Sequence, residues 1–280
     1  MPTIDLPHGT VQYRVAGPEN AVAPPVVFVH GFLVNATLWT KTADALADAG
    51  VRSYAADWPL GSHTIALGDD ADQSPRGIAR QIIAFIEALE LSDVTLVGND
   101  TGGAICQFLL DSDASRIGRV VLTNCDAFRN FPPAPFGQLF KAFRSPGAIR
   151  ALMAPMRATA VRHSPAGFGL LVHQPLDPDE TRAWVEPCLN DPAIRRDVAR
   201  FARKVDPDDL NAASNRLGDF DGPALLVWGA ADRFFKLDFA RQLGDTFADA
   251  KLVEIENGRT FIPHDEPVRL AEEIAAFQPA

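Results

Sequence analysis

Apolar positions along the chain fall into two patterns: short continuous runs rich in β-branched residues, and longer stretches in which they recur every three or four positions. The runs at 10–15, 26–29, 51–55, 94–97, 120–123, 224–228 and 251–255 read as strands. Several are hydrophobic throughout, which suits strands covered on both faces of a largely parallel sheet. Helical spacing recurs over 36–49, 75–91, 103–110, 237–247 and 267–277. The alternation predicts an α/β fold, a mostly parallel central sheet with helices on both faces.

That alternation stops near residue 128 and resumes near 218. "FPPAPFGQLF" opens the interval with Pro and Phe, and its helical stretches are broken by "HSPAGFG" and "QPLDPDE". No convincing strand lies inside. The economical organisation is a core of residues 1–127 and 218–280 carrying a helical insertion, 128–217, between two strands of one sheet. A chain of 280 residues suits one large α/β unit, and no repeat, heptad run or low-complexity tract interrupts it.

Composition narrows the partners. Hydrophobic residues make up 47% of the chain, enough for a full core, and the formal charge of −10 disfavours nucleic acid and anionic membranes as partners. "MPTIDLPHGTVQYRVAG" lacks a basic stretch followed by an apolar run, and no window reaches membrane-spanning length, so a soluble cytoplasmic protein is expected. Cys106, Cys125 and Cys188 have neither CxxC nor Cys/His spacing and are read as buried reduced thiols. No metal or organic cofactor is signalled.

The chemistry concentrates in "VTLVGNDTGGA". A strand-forming run ends in Gly98, and small residues around Asp100 lead into a helix. Small neighbours are what a nucleophile elbow needs, because its central residue takes a strained turn and must stay uncrowded. An Asp there equally suits a helix cap. The companions arrive in order, however: "PVVFVHGF" ends a strand in His30-Gly31-Phe32, "ALLVWGAADRFF" sets Asp232 in a loop after a strand, and "LTNCDAF" does the same for Asp126. The Phe32 and Thr101 N–H groups are candidates for an oxyanion cradle.

With these motifs the whole chain resembles the α/β-hydrolase superfamily, and its Asp elbow resembles the branch of haloalkane dehalogenases and epoxide hydrolases. The resemblance implies that Asp100 attacks an electrophilic carbon to form an ester, which a histidine oriented by Asp232 then hydrolyses with water. Asp126 stands where some dehalogenases keep the acid instead. The insertion corresponds to the helical cap that covers the pocket in this family.

The pattern breaks at the base. Where the family has His-Phe-x-Pro, this chain reads Thr260-Phe261-Ile262-Pro263. Threonine has no side-chain pKa near neutrality and cannot take water's proton. His264 lies four residues on, within reach over roughly 13 Å of extended chain. Against it, Pro263 and a helix start, with Asp265 as expected N-cap before Pro267, set it outside the pocket. His163 and His173 in the insertion are the other candidates; His63 is weaker, and His30 is expected to support its own loop.

The substrate-polarising groups typical of the relatives are also absent. Thr101 and Phe32 stand where dehalogenases have Trp and Asn, the Arg of fluoroacetate dehalogenases is missing, and the only tyrosines, Tyr13 and Tyr54, lie outside the insertion. Phe128, Phe131, Phe136, Phe140, Phe143, Met153, Met156, Phe168 and Trp184 supply apolar material there, with Trp184 the candidate pocket wall. Three readings stand: an Asp-nucleophile hydrolase with a displaced base acting on a small apolar epoxide, halide or ester; a nonhydrolytic binding protein or acid/base isomerase or lyase; and a catalytically silent interaction protein.

Overall fold

The structure is a computed structural model, and it describes residues 1–279. Eight strands form one sheet: β1 (Thr3–Leu6), β2 (Gly9–Ala16), β3 (Val26–Val29), β4 (Ser53–Ala56), β5 (Val94–Asp100), β6 (Ile117–Cys125), β7 (Ala224–Gly229) and β8 (Ala250–Ile255). Their order is β1-β2-β4-β3-β5-β6-β7-β8, antiparallel from β1 to β4 by way of β2 and parallel thereafter. The α/β fold expected from the alternation, a mostly parallel sheet with helices on both faces, is the fold observed. β1 was not signalled in the sequence. Its four residues pair through a tight turn to β2, a span too short for a period to register.

Burial follows the apolar pattern. β3 and β7 are buried along their whole length, as are nearly all of β5 and β6, because helices cover both faces. The edge strand β8 is largely exposed and carries Lys251 and Glu254, charges that discourage further pairing.

Around the sheet run α1 (Thr40–Asp48), α2 (Pro75–Ala88) and α3 (Thr101–Ser112). A 3₁₀ turn, Ala36–Trp39, precedes α1, so the helix expected from residue 36 begins as the tighter form, capped by Asn35. Ser74 caps α2 by accepting from the Gly77 N–H, with Pro75 at the first helical position, and Ile78, Ile82, Phe85 and Ile86 turn into the core.

Between β6 and β7 the chain builds α4 (Gly137–Ala142), α5 (Pro146–Met153), α6 (Thr159–Arg162), α7 (Pro178–Asn190), α8 (Pro192–Lys204) and α9 (Pro207–Ser214), with no strand among the described residues. Three of these start in the same way. Asp177, Asp191 and Asp206 each accept from first-turn N–H groups, and each is followed by proline. After β7 come α10 (Leu237–Thr246), α11 (Ile262–Asp265) and α12 (Pro267–Phe277).

One expected cap is corrected. Asp265 closes α11 and does not cap α12, whose N-cap position belongs to Glu266. The Asp265 carboxylate instead accepts from the backbone N–H groups of His173, Gln174 and Arg259, tying the last loop to the helical segment. No helix of the described residues is long and apolar enough to cross a membrane.

Candidate active site

Parallel strands end on one side of the sheet, and there the loops leave a crevice. Phe32 follows β3, Asp100 ends β5, Asp126 follows β6, Asp232 follows β7 and Thr260 follows β8. The topology therefore gathers residues that are far apart in the chain.

Asp100 sits at a sharp turn from β5 into α3, with φ 55° and ψ −131°. A non-glycine residue in that region costs about 1–3 kcal/mol, which the surrounding packing must offset. The neighbours make room. A Cβ on Gly102 would lie 2.2 Å from the Val29 carbonyl oxygen, and one on Gly31 would lie 2.1 Å from Asp100 Oδ2, so only glycine admits the carboxylate here.

The Phe32 N–H donates to Asp100 Oδ2 at 3.0 Å. Burial pushes the Asp100 pKa up to about 7; the N–H groups of Phe32 and Thr101 pull it back, and the charge of Asp232 adds to the rise. Asp100 makes no side-chain cap bond to α3, which removes the capping role as an account of it. His30 holds this loop in place: its Nε2 accepts from the Trp58 N–H at 2.8 Å and its Nδ1 faces the Gly31 carbonyl at 2.9 Å. Burial lowers its pKa to about 4, so it stays neutral.

Asp126 lies beside Asp100, buried and accepting from Thr101 Oγ1 at 3.2 Å. Burial first, and then the Asp100 charge, raise its carboxyl well above the usual range. Asp232 is held differently. Its Oδ1 accepts from the N–H groups of Phe234 and Phe235 at 2.7 and 3.1 Å, and its Oδ2 from Asn124 Nδ2 and Thr260 Oγ1, both at 2.9 Å. Burial still raises its pKa, against those four donors.

Thr260 is fully buried, gives its hydroxyl proton to Asp232 and lends its carbonyl to Asn99 Nδ2 at 2.6 Å. The position is filled and tied down.

Among the described residues, no histidine lines the cavity at Asp100. His264 Nε2 faces the Pro175 carbonyl at 3.2 Å, His163 Nε2 faces Thr181 Oγ1 at 2.9 Å, and His173 Nε2 faces Glu266 at 3.4 Å. His63 pairs with the buried Asp197 at 3.4 Å. Trp184, expected as a pocket wall, is fully buried, donates to Thr37 Oγ1 at 2.8 Å and packs edge-on against Phe168 and Phe261. None of these residues lines the cavity at Asp100.

That cavity is open to solvent and comprises about 900 Å³ of empty space, open solvent included. Asp100, Thr101 and Asp126 line it on the sheet side, and Phe136, Phe140, Phe143, Met153, Met156 and Phe168 of the helical segment face them. Phe128 and Phe131 are core. Sequence reading missed Phe234 and Phe235, which both line the cavity and hold Asp232, although "DRFF" sets them two and three residues after it. It also missed Asn124 and Asn99, whose side chains reach partners in the loops after β7 and β8. All three cysteines are free and buried.

The sequence model described as alpha/beta hydrolase fold matches residues 24–267. Haloalkane dehalogenase 2 of Mycobacterium tuberculosis is 27% identical over 96% of this chain and 92% of its own. A 2-hydroxy-6-oxononadienedioate/2-hydroxy-6-oxononatrienedioate hydrolase of Klebsiella pneumoniae is 27% identical over 81% of this chain and 77% of its own. Among solved structures, haloalkane dehalogenase DbeA from Bradyrhizobium elkani superimposes with a TM-score of 0.79 at 21% identity, covering 98% of this chain and 96% of its own.

Proposed function

The chain belongs to the alpha/beta hydrolase fold family, and from that premise we propose that it is a hydrolase whose nucleophile is the Asp100 carboxylate. The observation that carries this reading is the seat of Asp100: a strained elbow at the floor of an apolar cavity, one oxygen held by the Phe32 N–H. A carboxylate so held has its other oxygen available to attack carbon, and the Phe32 N–H that holds Oδ2, with the Thr101 N–H, would stabilise the oxyanion formed when water attacks the ester. The phenyl and thioether walls favour an electrophile with a small apolar body. Burial keeps Asp100 partly protonated near neutrality, so ester formation is expected to speed up as pH rises through about 7.

Turnover of apolar epoxides, halides and esters in ¹⁸O-labelled water, followed by mass analysis of the peptide containing Asp100, tests the reading. Incorporation of label into that carboxylate is the expected result. A substrate turned over with an unlabelled Asp100 would sink it.

A second reading has its own support in the absence of any imidazole among the cavity-lining residues and in Thr260 closed against Asp232. In it Asp100 takes and returns a proton during a rearrangement and never becomes covalent. Solvent deuterium entering recovered ligand, with no ¹⁸O in Asp100, is its signature.

A further inference from the structure

Of the residues that line the cavity, only Asp100, Thr101 and Asp126 carry polar side chains. None offers a side-chain N–H to a departing halide. What the wall does offer is a second carboxyl, and its two oxygens are not equivalent. Asp126 is 1% exposed; Oδ2 accepts the Thr101 hydroxyl, while Oδ1 is buried without a hydrogen-bond partner. A buried carboxyl whose free oxygen carries a proton is satisfied when a ligand atom accepts that proton.

We propose that Asp126 is the proton donor and acceptor of this site, and that the electrophile it serves is one whose leaving atom is oxygen: an epoxide on an apolar body. The inference rests on Asp100 as nucleophile. In the first step an Asp100 oxygen bonds to an epoxide carbon as the ring C–O bond breaks, and the ring oxygen takes the proton from Asp126 Oδ1. The products are a hydroxyalkyl ester on Asp100 and a carboxylate on Asp126.

In the second step water attacks the ester carbonyl carbon and gives its proton to the Asp126 carboxylate. The oxyanion rests against the N–H groups of Phe32 and Thr101. Collapse expels the alkoxide, which takes that proton from Asp126; the Asp100 carboxyl so formed then returns its own proton to Asp126. One negative charge stays in the pocket throughout.

The electrostatics favour this order. The groups facing Asp126 are Asp100 from β5, Thr101 and Gln107 from α3, and Cys125 on its own strand. Gln107 holds only its backbone carbonyl, at 2.8 Å, and burial keeps the Cys125 thiol protonated. Asp100 is therefore the one charge acting on it. While Asp100 is ionised, that charge helps to hold the proton on Asp126. Once Asp100 is an ester the repulsion is gone, and the proton is released when the ring oxygen needs it. One carboxyl thus does the work for which neither a tyrosine nor a histidine lines the pocket.

The full-length protein is mixed in single turnover with phenyl-substituted ethylene oxide and, separately, with 1-iodo-2-phenylethane, whose iodide leaves without a proton. Ester on Asp100 is followed by intact mass. For Asp126→Asn, alkylation by the epoxide should fall by about 10²–10⁴-fold and alkylation by the iodide by less than about tenfold. The ester left by the iodide should then outlast that in wild type. Equal slowing with both reagents, or no slowing with the epoxide, overturns the proposal.

Thr101→Val asks the same question without touching Asp126, and keeps it answerable if Asp126→Asn does not fold. Losing the hydroxyl removes the donor that stabilises the Asp126 carboxylate left by proton transfer, so the epoxide-to-iodide rate ratio should fall by about tenfold. An unchanged ratio overturns the proposal. Wild type that is alkylated by the iodide and untouched by the epoxide leaves Asp100 its role and removes that of Asp126. Wild type inert to both removes both.

Discussion

Two groups of carboxylates close the same end of the sheet and are treated in opposite ways. Asp232, after β7, is surrounded by four donors: two backbone N–H groups, Asn124 and Thr260. Asp126, after β6, is also buried and Asp100, at the end of β5, is half-buried, yet each takes one donor by hydrogen-bond geometry, Thr101 Oγ1 and Phe32 N–H respectively. A saturated carboxylate holds its charge and organises what surrounds it. An undersupplied one is destabilised as an anion, so it is disposed to pass that charge on by bonding to carbon or holding a proton. On the proposed function, the contrast separates a positioning region from a reacting one.

Restoring an imidazole to the saturated region should give the largest effect. In Thr260→His the ring replaces a hydroxyl already 2.9 Å from Asp232, which gives it the acid it needs for orientation. Hydrolysis of a preformed ester on Asp100 is expected to speed up by about a hundredfold, measured by the decay of the alkylated mass. Thr260 is fully buried, so the added ring atoms should cost about 1–3 kcal/mol of stability.

Next in size is the stability difference between the two regions. Asp232→Ala leaves four donors without their charged acceptor and should destabilise by about 3 kcal/mol in urea. Asp100→Asn disturbs one donor, keeps an acceptor for it and removes a desolvated charge, so its urea midpoint should stay near that of wild type or rise. Equal losses in the two variants would erase the distinction.

The smallest effect concerns pH. The folded-state pKa of Asp100 is raised from 3.8 to about 7, so between those values the folded chain holds a proton that the unfolded chain has lost. Stability contributed by that proton is full below about 4, declines as pH rises and is gone above about 7. Asp100→Asn has no such loss. Its melting temperature relative to wild type should therefore be higher at pH 8 than at pH 4, and a constant difference would show that Asp100 titrates normally.

The parts of the site that were legible in the sequence are those set by neighbouring residues. Gly98, Gly102 and Gly103 around Asp100 announce a tight turn after a strand, and His30-Gly31-Phe32 and Asp232 each follow an apolar run. Strand ends are local features, and in a parallel sheet they share one side. The histidines were not legible. His264 follows Thr260 by four residues, a span over which an extended loop and a turn of helix are both possible; here α11 forms and directs the ring to Pro175.

By itself, then, the chain's apolar pattern determined the α/β layering, the helical stretch after β6 and the presence of an Asp at a glycine-lined elbow, because periodicity and steric freedom are written in adjacent residues. Tertiary structure alone decided which carboxylate is saturated and which is left short of donors. Asn124, Thr260 and the Phe234–Phe235 backbone converge on Asp232 from separate strands and loops, while the cavity keeps such partners away from Asp100 and Asp126. How many donors reach a buried oxygen depends on three-dimensional packing, and spacing along the chain does not encode it.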